Sequence, residues 1–298
     1  MKSRNGAVLI MVLLIMAVVV AGVMAIERWA SENYNYAENL YVDNQGAFYM
    51  HSAIKVVKRL LIDDNNKYDS PEDTWANLPV FKVNNDTSIS VKVEPLNAKI
   101  NINNIVGKDL KLVVRTQEAI QKILEANGAN PPQYFKSLLE WIKYKPSNPQ
   151  QYAFGYHPTG QPFFSLKEID FAKGMSNFSA SYHNYFTVEN TSGKININFA
   201  SKDVLEAYLP EIADCAEDII KYRKKKPFEN ITQLLKVGCI SDKEYLKIQK
   251  YVTTKTHMFA VHIDVEINGT HRYATVLISR NSAVVKVLKY FEGVGFYE

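Results

Sequence analysis

The feature that most limits what this chain can fold into is an apolar run at its N-terminus that leads straight on into more helix. After the six residues MKSRNG, whose charges are Lys2 and Arg4, no ionisable side chain occurs from Ala7 to Ile26. At about 1.5 Å per residue, those roughly 20 residues span the ~30 Å hydrocarbon core of a bilayer as a helix. Glu27, Glu32, Glu38 and Asp43 follow on the far side. The bias of basic residues toward the cytoplasm therefore places the N-terminus inside and everything after about residue 27 outside. Three readings fit the run itself. It is a removed export signal, for which Val23-Met24-Ala25 ends in suitably small residues, or a plain membrane anchor, or a helix retained after a short leader is cut away.

The next stretch separates these readings. From Glu27 to about residue 62 there is no proline and one interior glycine, Gly46. Tyr36, Leu40, Ala47, Ile54, Val57 and Leu61 recur at threes, fours and sevens, the spacing of an amphipathic helix. A removed signal ends at a flexible, cleavable segment. This pattern instead predicts one long rod, half in lipid and half under a domain outside the membrane.

With 298 residues, 47% of them hydrophobic and 22% charged, the remainder can bury one large core or two to three small ones. Its 35 basic and 31 acidic side chains nearly balance, and a net charge of +4 gives no nucleic-acid signal. Past a turn-rich connection, TSISVKVEP alternates as a half-buried strand with Ile89, Val91 and Val93 on one face. The pentapeptide KININ at 99–103 returns at 194–198, each copy ahead of a helical stretch, so two helical units that begin alike are expected. LVVRTQEAIQKILEANG reads as a helix stopped by Gly128, and PPQYFKSLLEWIKY as one begun by prolines. Ser165 and Glu168 have capping-box spacing, and Ser201 and Ser241 are natural helix caps. From His257 the period becomes two, and Asn268-Gly269 marks a tight hairpin, with AVVKVLKYFEG as a last strand.

The predicted class is therefore α+β: a long N-terminal helix on a small antiparallel sheet, with a large all-α insertion. The divisions are 1–6 as leader, 7–26 as the transmembrane half of the rod, and 27–105 with 257–298 as helix and sheet. Residues 106–190 and 191–256 form the first and second helical units.

The stretches NGAVLIMVLLIM, NQGAFYMHSAIKVVKRLL, LNAKININ, LLEWI with PFFSLKEIDFAKGM, and GKININFASKDVLEAYLPEIADCAEDIIKYRKKKPFENITQLL occur in an order and spacing that resembles the K-type minor pseudopilin of type II secretion systems, the GspK family. The likeness covers nearly the whole chain and implies a pilin-like fold with a SAM-like, helix-hairpin-helix-like insertion. It further implies cleavage by a prepilin peptidase between Gly6 and Ala7, with N-methylation of Ala7. The implied setting is a single-pass inner-membrane protein with a periplasmic domain. Its implied partners are the I- and J-type minor pseudopilins and the major pseudopilin, with the secretin or exported substrates as further candidates. Most pilins carry glutamate at the fifth mature position, which here is Met11. A carboxylate in lipid is costly without a partner charge, and a subunit with no neighbour ahead of it has no partner to offer, so Met11 is consistent with a tip position.

Other chemistry is thinly supported. In nucleic-acid-binding helix-hairpin-helix modules, glycine turns bring backbone N–H groups against a phosphate. Here the turns read Pro210-Glu211-Ile212-Ala213 and Gly238-Cys239-Ile240-Ser241, so no nucleic-acid partner is expected, and Lys224 to Lys226 read as a solvated helix end. An exported DNA-uptake or adhesive module of a pilus-like system is the alternative function. The family's calcium site follows the tryptophan matched by Glu140-Trp141-Ile142. This chain has Lys143 and Lys145 there, so no metal and no cofactor is expected. Cys215 and Cys239 are either two buried thiols or, as an exported location favours, a disulfide. The histidines at 51, 157, 183, 257, 262 and 271 form no tight ligand motif, and no catalytic constellation is identified, so a non-enzymatic role is expected.

Overall fold

The computed structural model describes residues 3–64, 67–128, 131–143, 158–172, 182–189, 192–281 and 284–293. Its first element, α1 (Ser3–Asp63), is a single helix of 61 residues. Nothing in its sequence interrupts the i to i−4 ladder, and Arg28–Glu32 and Arg59–Asp63 add pairs at i, i+4, each a small contribution at an exposed position. Every residue from Ala7 to Ala37 is exposed. Burial begins at Val42 and continues through Gly46, Met50, Ala53, Ile54, Val57 and Leu61. The buried face thus differs from the predicted one at its start. Tyr36 and Leu40 remain 68% and 49% exposed because, among the described residues, no other element lies beneath that part of the rod.

The strands are β1 (Phe81–Asn84), β2 (Thr87–Pro95), β3 (Ile100–Asn101), β4 (Phe186–Thr187), β5 (Ile195–Asn196), β6 (Val252–Thr253), β7 (Met258–Ile267), β8 (Thr270–Asn281) and β9 (Val284–Glu292). Five of them make the sheet under the rod, ordered β1-β2-β7-β8-β9 and antiparallel throughout. Asn268 (φ 51°) and Gly269 (φ 76°) form the turn between β7 and β8, where both central residues need positive φ for the turn's twist to match the strands. Alternation then sorts the side chains. Val91, Val93, Val261, Ile263, Val276 and Ile278 join the rod's buried face in one core. Leu96, Met258, Ala260 and Leu277 form a second small cluster. Each large aliphatic side chain so removed from water contributes about 1.5–3 kcal/mol.

The helical region lies in sequence between β2 and β7, so the sheet is closed by strands that flank it on both sides. It contains α2 (Leu110–Ala126), α3 (Pro131–Lys143), α4 (Lys202–Tyr208), α5 (Ala216–Lys225) and α6 (Asp242–Ile248). Asp109 caps α2 by accepting from Lys111 and Leu112 N–H groups, and Gly128 (φ 74°) follows its end. Ser241 with Glu244 builds a full capping box for α6, and Ser165 with Glu168 does so for the 3₁₀ turn Leu166–Phe171.

The repeated pentapeptide is a working part in both of its copies. In the first, β3 pairs in parallel with β4, Asn101 Oδ1 accepts from Asn103 N–H, and Asn103 clasps the backbone of Phe163 with both ends of its amide. In the second, β5 pairs in parallel with β6, Asn196 Oδ1 accepts from Asn198 N–H, and Asn198 clasps Phe228 in the same way. The clasped phenylalanines both follow a proline, Pro162 and Pro227. The two units are built on one plan and share one core, into which Ile100 and Ile102 of the first copy are packed, with Ile105 just after it.

The chain re-enters the sheet through a buried ionic junction. Arg280 of β8 donates to Asp64 at the end of the rod (2.7 Å) and to both oxygens of Asp69 (2.6 Å each). Lys255, which follows β6, lies 3.3 Å from Asp64 and 3.0 Å from Asp69. Asp69 also accepts from the N–H of Thr256, while its own N–H donates to Thr254 (2.7 Å) and its carbonyl accepts from Asn198 (2.9 Å). Rod, sheet and second helical unit therefore meet at one aspartate.

Candidate assembly surface

A side chain left in water on an otherwise well-packed protein points to what the protein meets, and the rod offers two such surfaces. The first is Ala7–Ile26, where Ala7, Ile10, Met11, Leu14, Ile15 and Val18 form an unbroken apolar strip. Met11 is 65% exposed within it, in a stretch that carries no ionisable side chain. Among the described residues this is the one helix long and apolar enough to cross a bilayer. Gly6 and Ala7 both lie inside the continuous helix.

The second surface is aromatic. Tyr34, Tyr41 and Phe48 are spaced by sevens and are 68%, 55% and 63% exposed. Heptad spacing drifts by only about 20° per step around an α-helix, so the three rings stack along one face. The sheet takes the opposite face, through Val42, Met50, Ala53 and Val57. The small residue Ala37 stands between the first two rings and Ala30 one turn before Tyr34, leaving recesses of the kind a second helix fills with its own side chains. Gly46 and Arg272 secure the register of this part of the rod. A Cβ at Gly46 would lie 3.2 Å from Arg272 Cγ, so the missing side chain lets the arginine lie against the rod and pair with Asp43.

The helix-hairpin-helix turns are arranged otherwise than for a phosphate. Glu211 accepts from both terminal nitrogens of Arg115, at 3.0 and 2.5 Å, and Arg115 also donates to the Tyr208 carbonyl (2.7 Å) and stacks over Tyr251. Burial raises the Glu211 carboxyl pKa, but the arginine outweighs it and holds the group below its ordinary value. The first turn thus presents a carboxylate clamped to α2 where an anion cradle would need free N–H groups. Lys224 and Lys225 end α5, where cations suit the helix dipole, and Lys226 pairs with Glu229 at 3.0 Å.

Among the described residues, one set of three acidic or histidine side chains lies close enough to share a cation: Asp64, Asp69 and Asp73. Arg280 and Lys255 reach into it, so its charge is met by the chain's own cations. Burial, followed by Asp64 and Asp69, raises the pKa of Asp73. Trp141, where the resemblance puts the start of a calcium motif, is buried against Phe163 and Phe171 and donates to Glu168. Lys143 is the last residue of α3, and Lys145 lies outside the described residues, as does His157. Cys215 and Cys239 are joined by a disulfide with their Cα atoms 6.0 Å apart. No sequence signal beyond the repeat itself pointed to Asn103, Asn198 and the Asp69 junction, because their partners lie 30 to 211 residues away.

A helix-hairpin-helix motif family matches residues 190–253. No curated protein matches the chain in sequence. Across the whole fold, the chain is similar to one in the crystal structure of the GspK–GspI–GspJ complex from the enterotoxigenic Escherichia coli type 2 secretion system. The TM-score is 0.71 at 17% identity, over 87% of this chain and 99% of that one. The two chains share a fold. The expected α+β class, with its long helix, antiparallel sheet and helical insertion, is the one observed.

Proposed function

We propose that this chain is a minor pseudopilin of a type II secretion system, with a structural rather than catalytic role in helping to start the periplasmic pseudopilus at or near its tip. The observation that carries the reading is the likeness over 99% of a chain from a GspK–GspI–GspJ complex, on a rod whose apolar half and aromatic stripe are both uncovered. In this reading Ala7–Ile26 holds the subunit in the inner membrane. A prepilin peptidase cuts between Gly6 and Ala7, and Ala7 is N-methylated. The stripe of Tyr34, Tyr41 and Phe48 receives the rods of I- and J-type subunits by helix packing, and the major pseudopilin follows below. The helical region projects toward the secretin and the exported substrates. Met11 leaves the subunit without the acid that would seek a neighbour's terminal amine, which suits the first position.

Mass spectrometry of the mature N-terminus tests the reading. N-methyl-alanine at Ala7 supports it, and a chain beginning at Ile26 replaces it with plain export. The match to a helix-hairpin-helix motif keeps a DNA-uptake module as the second reading, and the Glu211–Arg115 clamp weighs against it.

A further inference from the structure

The helix-hairpin-helix unit carries a groove that the assembly reading does not use. It is a 710 Å³ depression between the C-terminal half of α2 and the α4–α5 hairpin, and Ile123, Ala126, Ala207 and Ala213 contribute its apolar lining. Around them stand Asp203, Glu206, Asp214 and Glu217, against Lys122 and Lys202. Lys202 is drawn to Glu206 and Glu217, at 3.7 and 3.9 Å. A chain of net charge +4 therefore concentrates negative charge in one alanine-lined trough, beside the C-terminal, negative end of the α2 dipole.

We infer that this groove is a docking site for a cationic amphipathic helix of a partner protein. Three properties select that occupant. The alanines allow a helix backbone to approach closely, as small residues do wherever helices pack tightly. Ala126 and Ala213, the accessible part of the apolar lining, offer a small contact to an apolar stripe on the incoming helix, while the carboxylates attract lysines or arginines spaced i, i+4 beside it. The hairpin itself, which in phosphate-binding relatives of the motif faces an anion, here points Asp214 into the groove and ties Glu211 to Arg115, so the sign of the preferred ligand is reversed. This inference goes beyond the assembly reading and does not depend on it.

The test is fluorescence anisotropy with the full chain in detergent micelles. The probes are a labelled amphipathic peptide with lysines at i, i+4, its glutamate counterpart, and a labelled DNA duplex. The lysine peptide binds, the other two do not, and binding weakens as salt rises. Replacing Asp203→Asn together with Asp214→Asn weakens it about tenfold, and Lys122→Glu tightens it about threefold, magnitudes in the range of charge changes at an interface. Because Lys122→Glu predicts a gain, misfolding cannot imitate it. The inference is overturned by absence of lysine-peptide binding, by binding indifferent to these substitutions, or by duplex binding lost in the same variants.

Discussion

Arg280 places its Nη2 2.6 Å from both oxygens of Asp69, with the two side chains 4% and 0% exposed. A buried pair of this kind is costly to form, but breaking it leaves Asp64 as the remaining partner of both Arg280 and Lys255 and costs up to about 3–5 kcal/mol. Asp69→Ala is expected to destabilise the chain by that amount in urea unfolding. Asp69→Asn costs less, because an amide oxygen still accepts from Thr256 N–H.

Glu94 gives the fold an acid-sensitive joint. Burial raises its pKa, but hydrogen bonding to His262 and the charge of Lys99 3.1 Å away outweigh that and bring it from 4.5 to about 2. A folded-state pKa below the unfolded value means stability that is present above about pH 4.5 and lost as pH falls toward 2. The linked loss is of the order of 3 kcal/mol. Thermal melts between pH 6 and pH 2.5 should fall along this limb in the parent chain, and Glu94→Gln should flatten it.

The Cys215–Cys239 bridge closes a loop of sequence separation 24. Cross-linking over that length restricts the unfolded chain by about 3 kcal/mol. Reduction should add two hydrogens to the intact mass, and the Cys215→Ala, Cys239→Ala double variant should unfold at correspondingly lower denaturant.

The aromatic stripe separates assembly from stability. Tyr41→Ala and Phe48→Ala remove rings that touch little of the chain's own core, so unfolding free energy should move by no more than about 0.5 kcal/mol. Co-purification with other pilin-like subunits should drop sharply. The opposite pattern, intact assembly with a weakened fold, would remove the stripe from the interface.

Local signals carried much of this architecture. Asn268-Gly269 marked the hairpin, Ser165, Ser201 and Ser241 marked helix starts, and the proline-free run through residue 62 marked the rod, because each feature acts within a few residues of itself. β1 starts at Phe81, the last residue of the turn-rich connection, and no strand was read there: four residues with all side chains exposed have no buried face to impose alternation. The ladders of β3 with β4 and β5 with β6 are two residues long, and their partners lie tens of residues away, so no periodicity announces them. At the assembly surface, the spacing of Ile54, Val57 and Leu61 identified the buried face. The exposure of Tyr36 depended on where the sheet ends, which is a tertiary fact. The Asn103 and Asn198 clasps were half legible: KININ repeats visibly, but only the fold shows that each copy grips a Pro-Phe pair downstream.

The rod is held by the sheet from Val42 to Leu61, about 29 Å at 1.5 Å per residue, and stands free from Ala7 to Val42 over about 53 Å. In mechanical terms it is a cantilever whose unsupported arm is nearly twice its clamped root. A sideways push at Ala7 therefore produces a reaction of about twice its size at the Leu61 end, next to Asp64 and the Arg280 junction. Any sideways load on the apolar arm is thereby delivered to the place where the helical region is attached.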